Sequence, residues 1–324
     1  MASSDRTIHQ PIEPSVLPLM DPQYVAFHNE HVIYMPKTED APYSPSLRIA
    51  SSKGLMSGSS HIRKVAKTQE FVIGRENITV RASTPLGEVP EAGWPVLLWF
   101  HGGGWVLGGI NSGNHLCTAM TQDAKCVTIT VDYRLAPEHL WPAAVDDAVG
   151  GSWAKAALNS TWTPLGLPPA AFLRGNLSAV LCTKLSPPIK ICFQMLTTPA
   201  IDSSIKEYTV NTNAPWLSPG RMLWYRRLYL PNESDWTHPD ASPNYAPDEE
   251  LARVPKSFIA VAGQEILAPE ALQYAEKLKR LGVEVETWVV EGATHSVVNL
   301  EDVMDSAKDL IRREGEALNK VFHS

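Results

Sequence analysis

The chain has 324 residues, 44% of them hydrophobic, and carries a formal net charge of −7, a composition that suits one large globular domain or a core with a cap. An acidic chain without a Lys/Arg cluster lacks the electrostatic footprint for phosphate backbones or anionic membranes, which excludes nucleic acid as a partner. The N-terminus has no basic start followed by an apolar run, and no segment has the apolar length of a membrane span, so a cytoplasmic protein is expected.

Residues 1–69 stand apart in being rich in Pro, Ser and His. DPQYVAFHNEHVIYM (21–35) predicts a helix and APYSPSLRIASSKGLMSGSS (41–60) a loop, together an N-terminal cap or arm without a core of its own. From residue 70 the texture changes to that of a core running to residue 324. FVIGRENITVRA (71–82) reads as two strands about a Gly turn, and the apolar run PVLLWF (95–100) as a buried strand. A helix through 115–124 leads to the buried strand KCVTITVDY (125–133), and PAAVDDAVGGSWAKAAL (142–158) is helical with Pro142 at its start. IKICFQML (189–196) follows as strand, PGRMLWYRRLYL (219–230) as helix, KSFIAVAG (256–263) as strand and PEALQYAEKLKRLG (269–282) as helix. The strand VEVETWVVEG (283–292) and a helix from Asn299 to about Lys320 complete the series. Such alternation predicts an α/β fold with a mostly parallel central sheet and helices on both faces. Ligands of such sheets sit beyond the C-terminal strand ends, which is where HGGGW and EGATH both fall.

His101-Gly102-Gly103-Gly104-Trp105 directly follows a buried strand, and three glycines let the backbone turn so that successive N–H groups point into one cavity, as stabilisation of an oxyanion requires. Asp132, Arg134 and Glu138 of VDYRLAPEHLWPAA are expected to form a structural polar network behind this loop. Cys117, Cys126, Cys182 and Cys192 show no Cys-x-x-Cys pairing and no His at metal spacing, so buried free thiols are expected and no metal site.

HGGGW, DYRLAPE with the following PAAVDDA, ASPNYAP, AGQEILAPEAL and EGATH occur in that order. With these motifs the chain resembles, from about residue 70 to the C-terminus, the hormone-sensitive-lipase-like (GDXG) branch of the α/β-hydrolases. The resemblance implies an α/β-hydrolase fold, a Ser–Asp/Glu–His triad, an oxyanion hole from HGGG plus the residue after the serine, and an N-terminal cap over the pocket. It also implies the absence of any metal or organic cofactor. Carried onto this sequence, it puts Glu265 at the acid position, where Asp is commoner, His295 at the base position 30 residues later, and oxyanion donors at Gly103 and Gly104. A carboxylate so placed would hold the imidazole in one tautomer and stabilise its protonated form.

The serine position departs from the pattern. The family has Gly-Asp-Ser-Ala-Gly-Gly between its fifth strand and a helix beginning GNLSAVL. Here GNLSAVL (175–181) is preceded only by Ala170, Ala171, Phe172, Leu173 and Arg174, enough for a strand of about 17 Å and nothing more. No nucleophile is identified. Ser152 in GGSWA has the right spelling but interrupts a helical pattern, while Ser178 and Cys182 lie inside the helix that should follow the elbow and suit packing. Loss of the serine from such a triad lowers turnover by about a millionfold, near 8 kcal/mol of barrier.

The stretch at about 203–236 reads as a cap insertion. Its Trp216, Trp224, Tyr225, Tyr229 and Trp236 either close over a mid-sized apolar substrate or pack on the core, with Arg221, Arg226 and Arg227 on the solvated face. Three functions fit. The first is hydrolysis of a small-molecule, apolar ester or carbonyl substrate, as the family resemblance implies. The second is a non-hydrolytic tailoring reaction of secondary metabolism, a lyase or cyclase step with His295 as base. The third is ligand binding by an inactive pseudohydrolase, since the gibberellin receptors resemble the same family and lack its histidine.

Overall fold

The computed structural model describes residues 6–48, 61–149, 170–173, 175–184 and 191–324. The described strands β1 (Lys67–Ile73), β2 (Ile78–Thr84), β3 (Val96–Phe100), β4 (Val127–Asp132), β5 (Ala170–Leu173), β6 (Ile191–Thr197), β7 (Ser257–Ala262) and β8 (Val285–Val290) form one sheet in the order β1-β2-β4-β3-β5-β6-β7-β8. β1, β2 and β4 pair antiparallel and every later pairing is parallel. The mostly parallel α/β sheet read from the sequence is thus the observed one.

Strand sequence explains this layering. Every residue of β3, VLLWF, and of β7, SFIAVA, is buried, because a parallel strand covered on both faces needs a continuous apolar run. Alternate side chains of β3 enter two cores. Val96, Leu98 and Phe100 join the face covered by α4 (Gly175–Lys184) and α6 (Ala268–Arg280). Leu97 and Trp99 join the face covered by α2 (Asn114–Asp123) and α7 (Asp305–His323). Three further helices are α1 (Pro22–Glu30), α3 (Ala143–Val149) and α5 (Pro219–Tyr229).

Several boundaries differ from the sequence reading. The helix expected over 21–35 ends at Glu30, and a separate single turn covers Val32–Tyr34. The C-terminal helix begins at Asp305, not Asn299, because Val297, Val298, Leu300 and Met304 turn inward to fill the second core before the helix starts. α3 is described to Val149; the rest of the helix expected through 158, Ser152 included, lies outside the described residues. Asp132, Arg134 and Glu138 form three separate attachments in place of one network. Arg134 clasps Asp147 (Nη2 to Oδ1, 2.7 Å), Glu138 accepts from Arg48 (2.5 Å) and Tyr43 (2.9 Å), and Asp132 accepts the N–H of Ile110. Cys117, Cys126 and Cys182 are buried free thiols, whereas Cys192 is half-buried. Among the described residues no cluster of His, Cys, Asp or Glu could hold a metal, and no helix is long and apolar enough to cross a membrane.

One buried acid ties the helical layer to the sheet. Glu270 of α6 is 5% exposed, and its Oε1 accepts the backbone N–H groups of Ile201 (2.6 Å) and Asp202 (3.2 Å) just beyond β6. Burial pushes its carboxyl up to about 8, so at neutral pH it is the protonated acid. Because the folded protein keeps a proton that the unfolded chain releases above about pH 4.3, stability falls as pH rises from there to about 8 and levels off beyond. We expect Glu270→Gln, which keeps the carbonyl acceptor and removes the titration, to flatten stability between about pH 5 and about pH 8. Urea unfolding across that range checks this.

Candidate active site

The loop after β3 has a conformation that its glycines alone permit. Gly103 has φ 119° and Gly104 φ 60°, the left-handed region disfavoured for residues with a Cβ. A Cβ on Gly103 would stand 2.2 Å from the Leu107 carbonyl oxygen, and one on Gly104 would stand 2.4 Å from the Tyr225 ring. The Gly103 carbonyl accepts the N–H groups of Val106 (3.2 Å) and Leu107 (2.8 Å), which folds the loop back on itself. The N–H groups of Gly103 and Gly104 have no acceptor among the described residues, and both residues line a cavity of about 360 Å³. Trp105 stacks on Tyr229 with ring centroids 4.6 Å apart. His101 is a buttress: its Nδ1–H donates to the Gly102 carbonyl (2.8 Å), its own carbonyl accepts the Tyr133 hydroxyl (2.6 Å), and its ring stacks on Tyr133 at 4.3 Å.

Glu265 and His295 come from the loops after β7 and β8, which backbone bonds from Gly263 N–H to Val290 (2.9 Å) and Gln264 N–H to Ala293 (2.8 Å) hold side by side. Glu265 is 1% exposed; its Oε1 accepts the Ala262 N–H (3.2 Å) and its Oε2 lies 2.6 Å from His295 Nδ1. The carboxylate oxygen accepts, so Nδ1 carries the proton and Nε2 keeps a lone pair. His295 lines the same cavity as Gly103 and Gly104.

Sequence reasoning missed the residues that fix this pair. Asn211 donates from Nδ2 to the carbonyls of Gly263 (3.1 Å) and Glu265 (3.0 Å). The start of α1 presses on the histidine loop, where the Asp21 N–H bonds the Gly292 carbonyl (3.0 Å), a Cβ on Gly292 would meet Asp21 N at 2.6 Å, and the Tyr24 phenol bonds Thr294. No spacing or motif signals these contacts, because each joins segments far apart in the chain.

The cavity is walled by core and arm together. Gln10, Met35, Pro36, Thr38 and Leu47 come from the arm, Trp216, Met222 and Tyr225 from the 203–236 segment, and Gly175, Asn176 and Leu177 from the start of α4. Trp224, Tyr229 and Trp236 lie outside this wall and pack on the core. Ser178 and Cys182 are buried in α4 and do not line the cavity; burial pushes the Cys182 thiol far up.

The expected solvated arginine face is corrected for two of its three members. Arg227 is exposed, but Arg221 and Arg226 are each 8% exposed. Arg226 donates to the Ser203 (2.7 Å) and Ile205 (2.6 Å) carbonyls and covers the Trp236 ring at 4.2 Å. Arg221 pairs with Glu39 of the arm (Nε to Oε2, 3.0 Å) and donates to Thr38 (2.9 Å) and Trp216 (2.9 Å). Burial pushes the Glu39 carboxyl up, but the Ser218 hydroxyl (2.5 Å) and the Arg221 charge outweigh it and hold the group below its ordinary value. A helix amphipathic toward two partners at once, core and arm, leaves its arginines little water to face.

Residues 97–299 match the family model described as alpha/beta hydrolase fold. The chain is 36% identical to an AB hydrolase superfamily protein of Schizosaccharomyces pombe, over 96% of this chain and 97% of that protein. It is 33% identical to Esterase LipI of Mycobacterium tuberculosis, over 72% and 75% respectively. Among solved structures it resembles an ester hydrolase from the metagenome of Lake Arreo, complexed with a derivative of bipyridine phosphonate, at 26% identity and TM-score 0.80, covering 97% of this chain and 100% of that one.

The Glu39–Arg221 pair is nearly out of solvent, and removing one partner of such a pair leaves an uncompensated charge at a cost of about 3–5 kcal/mol. Arg221→Met should therefore destabilise the protein by that order and open the segment before β1 to protease, while Glu39→Gln added to it restores part of the loss. Urea unfolding and limited proteolysis of the three variants check the pairing.

Proposed function

Because this chain belongs to the hormone-sensitive-lipase-like branch of the α/β-hydrolase fold, we propose that it hydrolyses small, apolar carboxylic esters in the cavity between the core and the N-terminal arm. The observation that carries this reading is the meeting, on one cavity wall, of a histidine oriented by a buried carboxylate and two N–H groups without acceptors among the described residues. In this assignment residues 1–69 are the cap, except that Lys67–Gln69 already belong to β1 of the sheet, 70–324 the catalytic core, and about 203–236 a cap insertion that supplies the aromatic wall.

The roles follow from the chemistry. Gly103 and Gly104 N–H groups receive the carbonyl oxygen as negative charge develops on it, in a site whose surroundings screen little. His295 Nε2 takes the proton of the attacking group and returns it to the departing alcohol, and Glu265 holds the ring through Nδ1–H and stabilises the imidazolium. Met35, Trp216, Met222 and Tyr225 surround the remainder of the substrate, which favours uncharged acyl and alcohol groups, since a charged one would lose its hydration without a partner. None of these roles calls for a metal or an organic cofactor. The relatives named as esterases support the reaction class.

Purified protein should hydrolyse p-nitrophenyl acetate above the buffer rate. His295→Ala should lower that rate by about 10²–10⁴-fold, the usual worth of a positioned general base, and Glu265→Gln should lower it with the fold intact by circular dichroism. Release of p-nitrophenol at the buffer rate by the unaltered protein would refute the proposal.

A further inference from the structure

We infer that Tyr24 and His28 of the N-terminal arm are positioning residues for His295: a one-way chain of hydrogen bonds runs from the Gln10 carbonyl through both side chains to Thr294 and holds the loop that carries the ring. The inference rests on His295 as the base of ester hydrolysis and concerns what keeps that ring in line.

The chemistry of the groups fixes the direction of every bond in the chain. Tyr24 and His28 lie four residues apart on α1, hence on one face of it, and both are fully buried. His28 Nε2 stands 2.7 Å from the Gln10 carbonyl oxygen, which can only accept, so Nε2 carries a proton. Burial lowers the imidazole below its ordinary pKa, outweighing the Gln10 carbonyl that raises it, and the ring is neutral at pH 7 with a lone pair on Nδ1. The Tyr24 hydroxyl, 3.2 Å from Nδ1, therefore donates to it. With that proton spent, the phenol oxygen accepts from the Thr294 hydroxyl.

Thr294 brings the chain beside the base. It directly precedes His295 and is fully buried, whereas His295 lines the cavity. Main-chain bonds hold the loop on either side, from Asp21 N–H to Gly292 (3.0 Å), Gln264 N–H to Ala293 (2.8 Å) and Val297 N–H to Thr294 (3.0 Å). The Thr294 hydroxyl adds a side-chain anchor one residue from the ring. Ser296 Oγ, at 3.5 Å from that hydroxyl, lies beyond the usual O–H···O range. Such an anchor matters because the contact between His295 and Glu265, at 2.6 Å, has about half an ångström to spare before it leaves hydrogen-bond range. A misplacement of about 1 Å costs about a hundredfold in rate.

At its other end the chain starts on the cavity wall. The N–H groups of His9 and Gln10 donate to the Ile33 carbonyl (2.8 and 3.0 Å), and Gln10 Nε2 donates to the Met35 carbonyl (2.7 Å). Gln10 and Met35 both line the cavity. The part of the arm that faces substrate is thereby bonded, through His28 and Tyr24, to the loop that carries the base. The helix has a separate attachment, since Gln23 Nε2 donates to Asp305 Oδ2 (3.1 Å) and Gln23 Oε1 accepts the Asp305 N–H (2.9 Å). Removing the Tyr24 hydroxyl thus cuts the chain and leaves α1 seated.

The test measures hydrolysis of p-nitrophenyl acetate together with the low-field proton resonance of His295 Nδ1–H, assigned by its loss in His295→Ala. Tyr24→Phe and Thr294→Val each remove one hydroxyl and keep the shape of the side chain. Each should lower kcat about tenfold with KM within about twofold of the parent, and each should move the resonance. The double variant should fall no further than either single one, because both cut the same chain. Thr294→Ser, which returns the hydroxyl, should recover most of the loss; if Tyr24→Phe fails to fold by circular dichroism, the Val and Ser variants of Thr294 decide alone. Parent-like kcat in the folded single variants, a loss of kcat with the resonance unmoved, or losses that multiply in the double variant would overturn the chain. Absence of hydrolysis by the parent would overturn the reaction, while the resonance still decides the chain: movement in the hydroxyl-deleted variants supports it and an unmoved signal overturns it.

Discussion

The close approach of the backbone at Gly103 and Gly104 is the constraint on which the site depends. At these residues the main chain runs so near the Leu107 carbonyl and the Tyr225 ring that no side chain fits, and the positive φ angles turn the N–H groups away from the loop's own carbonyls. The same contact seats the 203–236 segment, because Tyr225 rests on Gly104 and Tyr229 stacks on Trp105 one residue later. His101 and Tyr133 support the loop from beneath. The Gly103–Gly104 turn and the cavity wall are thus one packed unit, and neither can shift without the other.

Around this unit the protein buries acids and uses each differently. Glu265 meets a histidine ring, Glu39 an arginine, Glu270 two backbone N–H groups and Glu314 a threonine hydroxyl. A carboxyl out of water needs either a counter-charge or its proton. Glu39 has the first and is held ionised, whereas Glu270 forms no salt bridge among the described residues and keeps the second. The distinction matters for the cavity, since Glu39 binds the arm to the aromatic wall while Glu270 fixes the chain just beyond β6.

Much of the fold was legible in one dimension. Continuous apolar runs such as VLLWF and SFIAVA marked strands buried on both faces, and their alternation with helices marked the parallel sheet. The elements whose limits depart from the local pattern are those decided by packing. The last helix starts late because Leu300 and Met304 are drawn into the core first. Charge alone puts the arginines of α5 in water, yet two of them serve carbonyls and a carboxylate at the seam between arm and core. A charge pattern on one helix carries no information about a second surface that will cover it.

The amino-acid sequence by itself determined the α/β class, the family resemblance, the loop that must contain glycine, and the want of a hydroxyl between β5 and α4, because each of these is a local property of residue type and order. Tertiary structure decided which groups meet. Glu265 and His295 are 30 residues apart and become partners at 2.6 Å because β7 and β8 are neighbours. Asp21, Tyr24, Glu39 and Asn211 acquire their tasks by contacts across long stretches of chain. Such contacts depend on where the sheet carries each loop end, and no local pattern encodes that distance.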